Sequence, residues 1–137
     1  VYSDFYIGKE IQHFPYSKEL LEAEAKLLKP NGYSIPSDWS PIVDNICRLI
    51  ASESNIDPSD VAGEDLSRVM RERFKFTLAG FFGVKAPVNQ GGDGLYWSST
   101  RYSGYSMYDL YLDTSTVYPA NTDYRDLGFS IRCIASQ

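Results

Sequence analysis

The chain has 137 residues, of which 43% are hydrophobic and 23% are charged, a composition typical of one globular domain and not of a disordered or coiled-coil protein. Its formal net charge of −5 argues against a nucleic-acid partner, because nucleic-acid-binding proteins carry a surplus of lysine and arginine. No apolar run is long enough to span a bilayer, so we expect no membrane insertion.

The first third of the chain predicts one short strand and two helices. The aromatic and β-branched run 5–7 favours an edge strand. From Ser17, leucine and alanine residues at helical spacing predict a first helix that ends at Pro30. A second helix is predicted after Pro36, where Ser37 or Asp38 can cap the first turn. Its apolar stripe consists of Ile42, Val43, Ile46, Cys47, Leu49 and Ile50.

The middle of the chain is less regular. The segment 55–70 combines turn-forming residues with a capping pattern, and it predicts a loop followed by a short helix. Phe74, Phe76 and Leu78 alternate with polar residues and predict a strand. The glycine-rich stretch 91–94 then predicts an irregular connection to the last third of the chain.

The last third of the chain has the period of two that is typical of β strands. In one predicted strand, Leu110 and Leu112 share one face. Asp109, Tyr111 and Asp113 share the opposite face, which we expect to point outward.

A hairpin turn and a closing strand complete the predicted sheet. The segment 113–116 predicts the turn, and the segment 128–134 predicts the strand, on which Phe129, Ile131 and Cys133 face alike. Two or three helices early in the chain and an antiparallel sheet late in the chain indicate an α+β domain.

The sequence contains no pattern typical of an active site or a metal site. His13 is the only histidine, and no serine or cysteine nucleophile motif lies near it. Zinc sites need several cysteines or histidines at short spacing, and the sequence has no EF-hand loop for calcium. We therefore predict a protein that is not an enzyme and that uses no metal and no cofactor. A carbohydrate-processing enzyme is the weaker alternative, because the acidic residues are plentiful but nothing selects a catalytic pair.

Seven of the eleven tyrosines fall between Tyr96 and Cys133, interleaved with Ser, Asp, Asn and Gly. Antibody recognition loops use a similar set of residues, because tyrosine offers a large amphipathic surface at low entropic cost. Strand propensity also favours tyrosine, but it does not explain the spacing of three residues in the glycine-containing loop. We predict a ligand-binding surface formed by Tyr102, Ser103, Tyr105, Ser106, Tyr108, Asp109, Tyr111, Asp113, Tyr118, Asn121, Asp123, Tyr124 and Asp126.

Three motifs occur in order along the chain: GYSIPSDW at 32–39, GLYWSST at 94–100 and GFSIRC at 128–133. Together they resemble the Fibrobacter succinogenes major paralogous domain, a group with the C-type lectin-like fold. The resemblance covers residues 30–137, and we assign residues 1–29 to an N-terminal strand and helix extension packed on that domain. Formylglycine-generating enzymes have a related fold, but their catalytic cysteine pair has no counterpart here, so no catalysis is carried over.

The resemblance also implies a function. One set of proteins with this fold is diversified by retroelements that mutate adenines, which rewrites Asn codons into codons for Tyr, Asp, Ser and similar residues. A variable region at about 96–133 on an apolar framework is what this implies here. The domain would then be extracellular, displayed on a cell surface or a phage particle, and would bind a protein or glycan on another cell or host surface. An adhesive or structural module of fixed specificity, such as a pilin tip, is the alternative.

The resemblance further implies a disulfide that ties a helix to the last strand. Cys47 and Cys133 would form this disulfide, and two thiols packed in the core are the alternative. The chain has neither a Glu-Pro-Asn nor a Trp-Asn-Asp motif, so the resemblance does not extend to calcium-dependent sugar binding.

Overall fold

The computed structural model describes residues 33–83 and 85–135. Within them, two α helices precede a set of antiparallel strands, so the predicted α+β class is confirmed. The predicted strand at 5–7, the predicted first helix from Ser17 and the whole of the predicted 1–29 extension lie outside the described residues. No helix in the described part of the chain is long and apolar enough to cross a membrane.

The strands form one central sheet and two small ones. The central sheet has the order β4-β5-β6, while β1 pairs with β7 and β2 pairs with β3. The pairing of β1 with β7 brings the two ends of the described region together. The elements are β1 (Tyr33–Ser34), α1 (Ser40–Ser54), a 3₁₀ helix (Pro58–Asp60), α2 (Gly63–Glu72), β2 (Phe81–Phe82), β3 (Pro87–Val88), β4 (Gly94–Arg101), β5 (Ser106–Leu112), β6 (Val117–Tyr124) and β7 (Ile134–Ala135).

Both helices predicted within the described residues are present. Helix α1 begins after Asp38, whose carboxylate accepts a hydrogen bond of 2.9 Å from the Ser40 N–H. It ends at Asn55, which adopts the left-handed backbone that commonly terminates helices. The buried members of the predicted stripe are Val43, Ile46 and Ile50. Helix α2 is the short helix expected at the end of the segment 55–70.

The segment 74–78 does not form the predicted strand. Lys75 has a φ of 62°, a left-handed conformation that interrupts an extended run. The N–H of Phe76 donates to a carbonyl of α2 at 3.0 Å, and the N–H of Thr77 donates to the Tyr96 hydroxyl at 2.8 Å. Both N–H groups are therefore already hydrogen-bonded, one to α2 and one to a side chain, and cannot pair with a neighbouring strand. Alternation of polar and apolar residues was not sufficient to specify a strand.

The central sheet is covered on both faces along β4 and β5, while β6 stays partly exposed. On one face, Tyr96, Leu110 and Leu112 pack against the helices. We call this cluster the helix-side core, and its other buried members are Trp39, Val43, Ile46, Ile50, Met70 and Phe76. On the opposite face lies the loop-side core, which consists of Ile35, Leu95, Trp97, Met107, Phe129 and Ile131.

Trp39 connects α1 to the central sheet. Its side chain is fully buried and forms edge-to-face contacts with Phe76 and Tyr96 at centroid distances of 5.7 and 6.1 Å. Its Nε1–H donates to the Trp97 carbonyl at 3.1 Å. The indole thus buries a large apolar surface while its polar atom remains hydrogen-bonded.

The predicted hairpin turn at 113–116 is confirmed, because β5 ends at Leu112 and β6 begins at Val117. The Asp113 carboxylate stabilises the turn by accepting from the N–H groups of Ser115 and Thr116, each at 2.8 Å.

The closing strand is shorter than predicted. Only Ile134 and Ala135 are paired as a strand, while Ser130 forms a single bridge to Tyr96. Phe129 and Ile131 nevertheless lie in the loop-side core, and Cys133 packs against it, so the three side chains share a face as expected.

The implied disulfide is not formed, and Cys47 and Cys133 are both thiols. Cys47 lies on the side of α1 that contacts the 3₁₀ helix, where its thiol donates to the Pro58 carbonyl at 3.3 Å. Burial, together with the nearby Asp44 carboxylate, raises the pKa of this thiol. Cys133 instead packs against the loop-side core. The two sulfurs therefore belong to different parts of the fold.

Gly94, at the start of β4, allows a test of how closely β4 packs against its neighbours. A Cβ at Gly94 would lie 2.5 Å from the Thr77 carbonyl oxygen and 2.8 Å from Leu112 Cδ2. We expect Gly94→Ala to lower the free energy of unfolding by about 2 kcal/mol or more, measured by urea denaturation. Gly104→Ala is the matched control, because a Cβ there meets no atom within 4 Å. Equal stabilities for the two variants would contradict the packing described for β4.

Candidate functional site

The pairing of β5 with its two neighbours shows where its side chains point. Asp109 lies opposite Trp97, at the end of the regular part of the β4–β5 pairing, and opposite Asn121 of β6, next to a shift of register between Asp109 and Tyr111. Residues directly opposite each other share a face of the sheet, so Asp109 faces the loop-side core.

The expectation that Asp109 points outward is therefore wrong. Its side chain is fully buried. The alternation of side chains along β5 was correctly predicted, since Asp109 and Leu110 do lie on opposite faces of the sheet. The error came from assuming that the second face meets solvent, whereas Phe129 and Ile131 of the closing segment cover it.

Apart from the buried Asp109, the structure divides the predicted binding residues among three places. The first is the end of the sheet where the β4–β5 loop meets the end of β6, and we call its exposed tyrosines the tyrosine patch: Tyr102, Tyr105 and Tyr124. Their exposed fractions are 60, 74 and 66%. The Arg125 N–H donates to the Tyr105 carbonyl at 2.9 Å and ties the loop to β6. Ser103 lies in the same loop, Ser106 begins β5 directly after it, and Asp126 lies in the turn that follows β6.

The second place contains Tyr108 alone among the predicted residues. Its ring meets the ring of Tyr102 edge-to-face at 5.4 Å. It borders a cavity of about 460 Å³ beside the start of α1, where Trp39 and Thr100 also lie. Tyr108 is half-buried, and it contacts the tyrosine patch through Tyr102.

The third place is a cavity of about 510 Å³ on the loop-side face, which we call the acidic cavity. It brings together five of the predicted residues, namely Tyr111, Asp113, Tyr118, Asn121 and Asp123. No basic residue lines it among those that the structure describes. The lining residues that the sequence did not indicate are Phe81, Asp93, Leu95, Thr116, Leu127 and Phe129.

Tyr111 organises the polar wall of the acidic cavity. Its hydroxyl donates to the Asp113 carboxylate at 2.7 Å and lies 3.2 Å from Asp93 Oδ1. Its ring stacks on Tyr118 at a centroid distance of 5.8 Å and an interplanar angle of 29°. Desolvation and the bond to Asp113 raise the pKa of Tyr111 above its usual range, so the hydroxyl remains a donor.

Asp113 is held ionised at the same wall. Desolvation would raise its pKa, but the hydrogen bonds from Ser115, Tyr111 and Thr116 outweigh desolvation and hold the pKa at about 2. A carboxylate that accepts several hydrogen bonds keeps its charge throughout the physiological range. The cavity therefore carries a permanent negative charge.

Behind this wall, the fully buried Asp109 lies beside Asp123, which is half-buried and lines the cavity. Asn121 Nδ2 donates to Asp123 at 2.8 Å and to Asp109 Oδ2 at 3.2 Å. Burial and the charge of Asp123 raise the pKa of Asp109, and burial also raises the pKa of Asp123. Asp109 Oδ1 has no hydrogen-bond partner among the described residues. We infer that the pair holds one proton at neutral pH, because the buried Asp109 carboxylate is desolvated and the adjacent Asp123 carboxylate repels its charge.

Among the described residues, no group of three or more His, Cys, Asp or Glu side chains is placed to hold a metal ion. Asp109 is fully buried and so cannot touch a substrate. What the surface offers is exposed aromatic rings, hydroxyls and carboxylates, which suit stacking and hydrogen bonding.

Comparison of the chain with protein-family models, curated proteins and solved structures found no match.

The buried acid pair predicts how stability depends on pH. Because the folded state raises the pKa of Asp109, it holds that proton more tightly than the unfolded chain, and its stability falls as the pH rises above the ordinary aspartate range. Asparagine mimics the protonated acid without titrating. We expect Asp109→Asn to be more stable than the parent by about 1–2 kcal/mol at about pH 8 and to match it near pH 4.

Thermal unfolding across this pH range measures the effect, and Asp126→Asn, at an exposed acid, is the control. A variant Asp109→Asn that is less stable than the parent at about pH 8 would show that the carboxylate is ionised and compensated in the fold.

Proposed function

We propose that this protein is a non-enzymatic ligand-binding domain that recognises a receptor through its tyrosine-rich C-terminal surface. The observation that carries the proposal is the exposure of tyrosine within one short stretch of chain. Tyr102, Tyr105, Tyr118 and Tyr124 each expose 55% or more of their side chain, while their neighbours Trp97, Met107, Leu110 and Leu112 are buried. Large aromatic surface left in solvent on a well-packed framework is typical of binding sites.

We further propose that the fold is C-type lectin-like and that the domain belongs with the Fibrobacter succinogenes major paralogous domains. Several features support this assignment. The ends of the described region pair as β1 and β7, and two helices lie against one face of the sheet. The three motifs that carry the resemblance include core residues, since Trp39, Trp97 and Phe129 are all buried.

Binding would occur by surface complementarity. Tyrosines of the patch would serve as anchors, because their rings bury much area and lose few rotamers, and the serines and Asp126 would supply hydrogen bonds around them. In a retroelement-diversified protein these positions would change while the two cores stay fixed. The ligand is a protein or a glycan on another cell or host surface, which places this domain outside the cell or on a phage particle.

An adhesive module of fixed specificity is the second candidate. It is favoured by the position of β6, which is the outer strand of the central sheet. An edge strand presents backbone groups that can pair with another molecule. Concentration-dependent self-association in analytical ultracentrifugation would support the adhesive module over the receptor-binding domain.

The tyrosine patch gives a direct test of binding. We expect the labelled domain to bind at least one member of a panel of glycans and intact bacterial or host cells. Tyr105→Ala combined with Tyr124→Ala should weaken that binding about tenfold or more, since central aromatic anchors dominate interfaces. The melting temperature should change little, because both rings are mostly exposed.

Ile56→Ala is the matched control, because Ile56 is an exposed apolar side chain on the helical side, with 44% exposure. Undiminished binding by the double tyrosine variant would remove the patch from the interface.

The encoding locus tests the diversification. A near-identical copy of the segment encoding 96–133 that differs at adenines, beside a reverse transcriptase gene, would support a variable protein. A locus without such a copy would leave the domain with a fixed specificity and favour the adhesive module.

A further inference from the structure

The acidic cavity differs from the tyrosine patch in its charge and its shape. Asp93, Asp113 and Asp123 line it, and none of the three forms a salt bridge with any residue that the structure describes. The two salt bridges of the described region, Arg68–Asp65 and Arg73–Glu53, lie on or beside the helices. A concave wall of uncompensated carboxylates concentrates negative potential and attracts a cation.

The hydrogen bonds within the wall leave acceptor capacity for a ligand. The Asp113 carboxylate is occupied by its turn and by Tyr111. Asp123, in contrast, hydrogen-bonds to Asn121 and to the buried Asp109, and a carboxylate has further lone pairs to offer a ligand. A donor that enters the cavity can therefore reach Asp123, whereas the fully buried Asp109 stays out of its reach.

The aromatic wall selects the shape of the cation. Tyr111 and Tyr118 are stacked, and Tyr118 leaves 55% of its side chain exposed. An exposed tyrosine face beside carboxylates suits a planar cation, which can stack on the ring while its N–H groups reach the oxygens. Phe81, Leu95 and Phe129 give the cavity an apolar floor that would accommodate an aliphatic stem.

We propose that the acidic cavity binds the guanidinium group of an arginine side chain presented by a protein ligand. The guanidinium stacks on Tyr118 and donates to Asp123, and the methylene stem lies on the apolar floor. This inference rests on the proposed function, because it treats the cavity as the part of the binding surface that receives one charged group. It also selects a protein ligand over a neutral glycan.

The test uses N-acetyl-L-arginine amide as the probe and N-acetyl-L-citrulline amide as its control, since citrulline keeps the planar group but lacks the charge. Titration of the isotope-labelled domain is followed by amide chemical shifts. We expect saturable shifts at Tyr111, Tyr118 and Asn121 with the arginine probe, and binding at least about tenfold weaker with the citrulline probe. No saturable shift at these residues, or equal binding of both probes, would overturn the proposal.

Two variants locate the site. Asp123→Asn removes the accepting charge and Tyr118→Ala removes the stacking face, and each should weaken binding of the arginine probe about tenfold. Tyr118→Ala keeps the test valid if the buried acid pair does not tolerate Asp123→Asn, because the Tyr118 ring is mostly exposed. Tyr124→Ala, at the tyrosine patch, is the matched control and should bind as the parent does. Parent-like binding by Tyr118→Ala would also overturn the proposal.

The outcome is separable from that of the proposed function. An arginine probe that saturates the cavity, alongside an unaltered receptor affinity of the double patch variant, would keep the cation site and remove the patch as the receptor surface. If the arginine probe does not bind and the double patch variant loses receptor affinity, the patch remains the receptor surface and the cation site is ruled out.

Discussion

The hydrogen bond from the Trp39 indole to the Trp97 carbonyl is the contact on which the rest of the structure depends. It fixes α1 to β4 between two cores, because the Trp39 ring lies with the helix-side core and the Trp97 ring stacks on Phe129 in the loop-side core, 4.1 Å away. Strands that are buried on both faces, as β4 and β5 are, cannot change register without exposing one face. Under the proposed function, the rim and the loops would carry varied side chains while these strands stay in place.

Burial of β4 and β5 on both faces also explains why the candidate binding residues do not form one continuous surface. Along the loop-side face, one row across the sheet runs from Trp97 through Asp109 to Asn121, and so changes from apolar to polar toward the outer strand. The polar end of that row borders the acidic cavity. The tyrosine patch arises separately, where the β4–β5 loop extends beyond the paired strands. A ligand that covers both would meet aromatic anchors at one end and carboxylates at the other.

The sequence predicted the elements whose periodicity and local signals agree. The stripe of α1 with Asp38 before it, and the turn at 113–116, are cases where hydrophobic spacing and side-chain capping point to one structure. Prediction failed where tertiary contacts decide. Lys75 has a positive φ, which interrupts the strand predicted at 74–78. Phe129 and Ile131 of the closing segment cover the face of the sheet on which Asp109 was expected to meet solvent. Asp93 was missed because its role depends on a contact with Tyr111, distant in sequence.

In the proposed binding domain, a fixed two-core framework would support surface positions that are free to vary. Protease resistance can be measured for a displayed library in which Tyr102, Tyr105, Tyr118 and Tyr124 are randomised among Tyr, Ser, Asp and Asn. We expect most members to resist protease as the parent does, whereas the same randomisation of Trp39, Tyr96, Trp97 and Leu110 should unfold nearly all members. Loss of resistance in most members of the first library would show that the four tyrosines hold the fold together and are not free to vary.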